Sequence, residues 1–228
     1  MLPIFGLLNS FWVEVINFSE SKSILNSFVR EIRDAEIQTD RMRFRRNVER
    51  VGEVMAYEIS KRFDYQLQEV KTPLGMAEEN VIAEQPVIAT ILRAGLPMHI
   101  GLLNYFDHAD NAFISAYRKH TSQDDFEIEI EYLSSPKIDD RVLILNDPML
   151  ATGSSMVLGY KAMLRKGNPK HVHIACIIAS KEGVEFVKRN MPPNTTIWAG
   201  AVDDELTAQS YIVPGLGDAG DLAFGKKE

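Results

Sequence analysis

The chain reads as an α/β fold, a parallel sheet covered by helices on both faces. Three observations predict it. Short apolar runs recur at residues 87–92 (VIATIL), 142–145 (VLIL), 172–179 (VHIACIIA) and 196–202 (TIWAGAV). They are almost continuously apolar, as strands buried on both faces must be, where a half-solvated strand would alternate. Stretches with helical periodicity separate them at the spacing of strand–helix–strand units.

The elements follow in chain order. Residues 1–13 (MLPIFGLLNSFWV) are apolar but short, with no Lys or Arg before the run and no small-residue cleavage signal. They fit neither a signal peptide nor a membrane span. Residues 1–22 are expected to form an N-terminal extension, loosely ordered or docked on the body as a strand, and residues 23–228 a single domain. Residues 23–62 read as mostly helical: Ile24, Phe28 and Ile32 repeat at i, i+4, and Val51, Val54, Met55 and Ile59 line one face further on. Pro73-Leu74-Gly75 marks a turn. After the VIATIL run, a loop at 93–95 leads into a helix through Leu103, and residues 112–116 form another strand. Residues 126–132 (FEIEIEY) alternate strictly, with Phe126, Ile128, Ile130 and Tyr132 on one face and glutamates on the other. This suits a half-solvated hairpin arm, whose glutamates form a solvated face rather than a metal site. Val157, Tyr160 and Leu164 stand at helical spacing, with Arg165, Lys166 and Gly167 as a C-terminal ending. A last helix surrounds residues 184–188.

Composition narrows the functions. The 228 residues carry a net charge of −7 and a pI near 5.3, which leaves no broad basic face for nucleic acid. Hydrophobic residues at 45% and charged residues at 25% suit a soluble folded domain, expected in the cytoplasm and without a membrane partner. The lone cysteine, Cys176, cannot form an internal disulfide and reads as core. His171 and His173 share a strand face but lack a third ligand at sensible spacing, so a structural role is favoured. The basic run 41–46 (RMRFRR) reads as a solvated or acid-paired helix face, with an effector phosphate or an oligomer contact as the alternative.

The chemistry concentrates at residues 146–155 (NDPMLATGSS), between a strand and a helix. Ligands of such sheets bind beyond the carboxyl ends of the strands. Gly153 allows close backbone approach, Thr152, Ser154 and Ser155 offer hydroxyls, and the following helix presents unpaired amides, a combination that suits a phosphate monoester. Thr-Gly-Ser-Ser as a mere helix cap is the competing reading. Asp147 would repel phosphate, so it is expected to serve sugar hydroxyls, a cation or a developing positive charge. No Gly-Lys-Ser/Thr follows, so this is not a Walker A loop. Residues 215–220 (GLGDAG) match G-x-G-x-x-G, but the eight residues after them leave no room for the helix, strand and acid of a dinucleotide site.

Together, residues 147–153 (DPMLATG), 91–96 (ILRAGL) and 211–221 (YIVPGLGDAGD) resemble uracil phosphoribosyltransferases, in order over roughly residues 26–225. The resemblance implies a type I phosphoribosyltransferase-like parallel sheet with flanking helices, a β-arm and a C-terminal base-binding hood. It implies transfer of a phosphoribosyl group from 5-phosphoribosyl 1-diphosphate to N1 of uracil, giving UMP and diphosphate, as in pyrimidine salvage. Mg²⁺ would assist through diphosphate oxygens and water, without dedicated protein ligands except for a share from Asp218. Carried over residue by residue, Ala151, Thr152, Gly153, Ser154 and Ser155 would hold the 5′-phosphate, with Pro148, Met149 and Leu150 completing the loop. Asp147 would hold the ribose hydroxyls, Arg93 and Arg118 the diphosphate, and Asp218 would lie beside diphosphate and metal. Asp218, Arg118 and Asp147 would be the catalytic set. Ile212, Gly217, Asp218 and Ala219 would read the uracil edge. The Arg93–Ala94 peptide would be cis, a homodimer or larger assembly would form through the 126–132 arm, and GTP would be an effector. Family members commonly have Gly at Ser154 and Ser210, Asn at Thr207 and an acid at His120, which leaves base specificity and the loop after Arg118 less secure. A related enzyme for another base and an RNA-binding regulator on the same fold are the rival readings. The single acid of Asn146-Asp147 opposes the first, and the acidic charge the second.

Overall fold

A computed structural model describes residues 12–120 and 126–227, with the side chains of 116–129 outside the described set. The strands are β1 (Glu14–Asn17), β2 (Tyr65–Thr72), β3 (Gly75–Ile82), β4 (Val87–Leu92), β5 (Asp110–His120), β6 (Phe126–Ser134), β7 (Val142–Asn146), β8 (Met149–Leu150), β9 (His171–Ser180), β10 (Thr195–Asp203), β11 (Glu205–Leu206) and β12 (Ile212–Val213). The helices are α1 (Ile24–Arg33), α2 (Arg41–Ser60), α3 (Leu96–Leu103), α4 (Ser154–Met163), α5 (Lys181–Asn190) and α6 (Ala219–Phe224). The main sheet runs β1-β10-β9-β7-β4-β5-β6, with β8 added beside β9. All its pairings are parallel except β5 with β6.

Successive residues of each central strand point to opposite faces, and each face is apolar. Ile88 and Ile144 meet α1, α2 and α3, while Val87, Ala89, Leu143 and Leu145 meet α4 and α5. Two cores therefore sandwich the sheet, which explains why the strands read as unbroken apolar runs. Cys176 is buried in one of them, where burial pushes its thiol up. His173 is buried and accepts from Trp198 Nε1 at 3.1 Å, while His171 lies within 3.0 Å of Thr196 Oγ1. Among the described residues no helix is long and apolar enough to cross a membrane.

Several expectations change. Glu14–Asn17, inside the segment set apart as an extension, is the edge strand β1 and pairs with β10 from Glu14↔Thr196 to Asn17↔Ala199. Val13 is buried; residues 1–11 lie outside the described set. On α1 the buried stripe is Leu25, Val29 and Ile32, whereas Ile24 is exposed. The helix carrying Val157 and Tyr160 stops at Met163, and Leu164–Lys166 tightens into a 3₁₀ turn. Residues 126–132 are not a free arm: they belong to β6, which extends the main sheet. Register jumps between Ser115↔Tyr132 and Ala116↔Ile130, so Glu131 is extra, Ile130 packs on the core and Tyr132 turns outward. The projecting arm is instead β2–β3, a two-stranded antiparallel ribbon paired from Tyr65↔Ile82 to Thr72↔Gly75 and exposed along most of its length.

Helices α2 and α3 cross so closely that glycine is required at the contact. A methyl on Gly52 would lie 2.6 Å from Met98 O, and one on Gly101 would collide with Glu49 O. We predict that Gly101→Ala lowers stability by about 1–3 kcal/mol in denaturant titration, as overpacking does. Gly75→Ala, at the arm tip with open space around it, is the control and should stay within about 0.5 kcal/mol of wild type. Equal stabilities for the two variants would refute the close crossing.

Candidate active site at the carboxyl ends of the central strands

The sheet order fixes where a site can form. From β4 the chain crosses through α3 to β5 on one side; from β7 it crosses through α4 to β9 on the other. The crevice between β4 and β7 is thus the point where connections diverge and no crossover covers the strand ends. Thr90 pairs with Asn146 at the top of these strands, so the loops after Leu92 and after Asn146 leave side by side. Their spacing is held from below by a buried chain of hydrogen bonds. Asn146 Nδ2 donates to Thr90 Oγ1 at 2.6 Å and to Ala89 O at 3.1 Å, and Thr90 Oγ1 lies 2.5 Å from His99 Nδ1. Burial lowers the proton affinity of His99. Gly95 is forced by the same packing, since a methyl there would sit 2.8 Å from Ile91 O and 3.1 Å from Asn146 Oδ1.

The second loop, residues 147–153, joins β7 to α4. Asp147 Oδ1 accepts from Met149 N at 3.1 Å, and Pro148 O accepts from Ile177 N and Ile178 N at 3.0 Å, turning the chain back over β9. Gly153, with φ +79, then starts α4 without a side-chain cap of its own, and Ser154 N donates to Thr152 Oγ1 at 3.4 Å. Thr152 Oγ1 donates to Ser154 Oγ at 3.1 Å. The loop is pressed from behind by α5: Ser180 Oγ donates to Ala151 O at 2.6 Å and accepts from Gly183 N at 2.8 Å, and a side chain on Gly183 would strike Ala151 O.

The C-terminal segment closes the cleft. Arg33 donates to both carboxylate oxygens of Asp203 at 2.7 Å and to Gly215 O at 3.0 Å, while Gly215 N donates to Asp203 Oδ2 at 2.9 Å. That knot ties α1, the end of β10 and the hood together. Asp218 caps α6 by accepting from Asp221 N at 2.9 Å. Arg93 Nη2 donates to Asp221 Oδ1 at 3.0 Å and Gly225 O at 2.9 Å, and Arg45 Nη1 donates to Ala223 O at 2.7 Å. Two more arginines of the basic run are also engaged internally, Arg43 with Glu31 and Arg46 with Glu49 and Glu53. Two backbone features accompany the closure: Ser210 has φ +64, in the region that favours glycine, and Val213–Pro214 is cis. The non-proline cis peptide is Leu92–Arg93, one bond before the expected Arg93–Ala94.

Between these parts lies a cavity of about 430 Å³. Of the residues expected from the sequence, Arg93, Asp147, Met149, Leu150, Ala151, Thr152, Gly153, Ser155, Gly217, Asp218 and Ala219 line it. Pro148, Ser154 and Ile212 do not: Pro148 and Ile212 are buried, and Ser154 sits behind Thr152. The backbone of Arg118 belongs to β5; its side chain lies outside the described set, as does that of His120. Ser210, expected beside the base pocket, lines it too, while sequence reasoning did not single out Ala94, Met156, Tyr211, Gly220 or Lys227, which line the same space. Ala94, Tyr211 and Gly220 stand inside motifs that had been recognised; Lys227 belongs to none.

Asp147 is the perturbed group of the cleft. Burial pushes its carboxyl up from 3.8 to about 7, with Asp218 adding to the rise, and the Met149 N–H and Lys227 opposing it. The folded chain therefore binds this proton more tightly than the unfolded chain. The resulting loss of stability is absent below pH 4, grows as pH rises and is complete above about pH 7. Asp147→Asn keeps the Met149 contact and removes the charge. We predict that it matches wild-type stability near pH 4 and exceeds it by ~2 kcal/mol at pH 8, about half of the full shift because the carboxyl keeps some water. A difference independent of pH would contradict this assignment.

Comparisons with known proteins were made with this geometry in hand. A family model described as uracil phosphoribosyltransferase matches residues 19–226. A uracil phosphoribosyltransferase of Porphyromonas gingivalis is 62% identical over 215 residues, covering 94% of this chain and 100% of its own. One from Thermococcus gammatolerans is 37% identical over 217 residues, covering 94% of each. Among solved structures, the AQ2163 protein from Aquifex aeolicus superposes with a TM-score of 0.82 at 27% identity, covering 92% of this chain and 98% of that one.

Proposed function

The chain belongs to the uracil phosphoribosyltransferase family, and we propose that the cleft between β4 and β7 is where its residues carry out the transfer. The reaction joins uracil N1 to C1′ of 5-phosphoribosyl 1-diphosphate, giving UMP as diphosphate leaves. The observation that carries the assignment of residues is convergence: the hydroxyl-bearing start of α4, the Asp147 carboxyl and the loop at 217–220 meet around one cavity of about 430 Å³.

In this reading the start of α4, with Thr152, Gly153 and Ser155, holds the 5′-phosphate by backbone amides and hydroxyls. Asp147 accepts from the ribose hydroxyls. Its high proton affinity suits a group whose charge is wanted only when the sugar turns positive, since the transition state resembles an oxocarbenium ion. Arg93 and Arg118 stabilise the diphosphate as it departs. Gly217, Asp218 and Ala219 present the uracil edge with backbone groups, and Ser210 and Tyr211 wall that side. A rigid polar slot rejects cytosine because donors and acceptors would be left unpaired. Roofing by α6 keeps water from the activated sugar.

Mg²⁺ fits the residues present. Among the described residues no cluster of three or more His, Cys, Asp or Glu forms a cage, yet two carboxylates, Asp147 and Asp218, line the cavity. That is enough for an ion that keeps waters and takes diphosphate oxygens. When bound it would neutralise charge on the leaving group. A cytoplasmic setting suits a chain whose lone thiol, Cys176, is buried.

The assembly we propose is a homodimer clasped by β2–β3, in place of the 126–132 segment. A two-stranded ribbon is marginal alone, and this one exposes Leu67 at 67%, Met76 at 63% and Leu74 fully. Light scattering should give twice the chain mass for wild type and a single chain for Leu67→Glu/Met76→Glu. A monomeric wild type would remove the arm from this role.

Purified protein with uracil, 5-phosphoribosyl 1-diphosphate and Mg²⁺ should form UMP, with cytosine and orotate inert. Asp218→Asn should retain the fold by circular dichroism and lose roughly 100-fold or more in turnover. Turnover of another base in preference to uracil would overturn the assignment of the hood as a uracil slot, and normal kinetics in Asp218→Asn would remove that residue from it.

A further inference from the structure

The cleft has more anions to receive than cations to meet them. Its charged lining among the described residues is Arg93, Asp147, Asp218 and Lys227. The two acids cancel the two bases, in a chain whose net charge is already −7. Of the bases, Arg93 is tied to Asp221 and Gly225 O through Nη2. Lys227 makes no hydrogen bond or ion pair among the described residues, and it is exposed at the cavity mouth.

The position of Lys227 follows from the hood. Asp218 caps the start of α6, and Gly225, at φ +92, ends it and redirects the chain. Up to that bend the backbone is fastened at two carbonyls, Ala223 O by Arg45 and Gly225 O by Arg93. A guanidinium of Arg41 lies within 4 Å of where a side chain on Gly225 would begin. A tail held this closely, two residues before Lys227, cannot stray far from the mouth. Lys226, its neighbour, is exposed and does not line the cavity.

We propose that Lys227 is a substrate-binding residue of this cleft, its ammonium meeting the diphosphate of 5-phosphoribosyl 1-diphosphate on the side of the cavity shared by Arg93 and Asp218. This rests on the reading of the cleft as the phosphoribosyl site. A lysine suits the task as a flexible point charge that follows the diphosphate as its bond to C1′ lengthens, where the forked Arg93 is fixed. Its influence already reaches the floor, since it opposes the rise in proton affinity of Asp147.

The test uses the full chain and three variants, Lys227→Gln, Lys227→Arg and Lys226→Gln. Steady-state kinetics give the KM for each substrate, and calorimetry gives the affinity for inorganic diphosphate with Mg²⁺. Lys227→Gln should raise the KM for 5-phosphoribosyl 1-diphosphate and the diphosphate Kd about tenfold, with the KM for uracil within about twofold; a single exposed charge contact supports no more than that. Lys227→Arg should restore most of both, and Lys226→Gln should match wild type. The proposal fails if Lys227→Gln leaves both constants unchanged, if Lys226→Gln does the same damage, or if both substrates weaken together without rescue by arginine. Diphosphate binding is read without any base. A wild type that binds diphosphate through Lys227 but ignores uracil would therefore sink the reading of the hood and keep this one.

Discussion

Asp147 must sit on the floor of a half-dry cleft, and Asp218 comes close enough to make its ionisation harder. The surrounding structure moderates that charge. The Met149 N–H accommodates the carboxylate, Lys227 offsets it from the mouth, and the start of α4 supplies a positive field on the phosphate side. In the proposed reaction, a carboxylate that is reluctant to ionise would be stabilised more as the sugar develops positive charge than in the resting enzyme. The cost of holding it is carried by two apolar cores, packed on opposite faces of the sheet.

Geometry follows from the same demand. Arg93 and Asp147 line one cavity because their loops leave the adjacent strands β4 and β7 side by side. The Asn146–Thr90–His99 chain provides that spacing in a region where water cannot. Gly95, Gly153 and Gly183 then let backbones approach where any side chain would push the loops apart. Rigidity below and a fastened roof above leave the ligand, rather than the protein, to move.

Much of this was legible in the sequence because burial writes a period into it. The run VIATIL is β4 to the residue, and the helix expected through Leu103 ends there. Where no buried face existed, the signal failed. Tyr65–Ile82 is exposed on both sides, so only its turn at Pro73–Gly75 could be seen. On α1 the choice between the stripes of Ile24 and Leu25 needed the sheet that α1 packs against. At Glu131 a bulge reversed an alternation that had looked strict. The cleft was legible where neighbouring residues act together, as in 147–155 and 215–221. It was illegible where partners are far apart, since Arg33 and Asp203 are 170 positions apart and nothing local marks either. Lys227 stands just outside a motif, and only the folded tail brings it to the mouth.

The strand β1 adds a consequence in time. Its partner β10 lies about 180 residues further along the chain, and the knot of Arg33 with Asp203 and Gly215 spans a similar distance. During synthesis β1 therefore waits unpaired until β10 has left the ribosome. Contacts this distant in sequence form slowly, because the loop must close before they reward it. The loop at 151–155 emerges earlier than the segment at 210–227, so in a nascent chain the floor of the cleft precedes the roof that closes it.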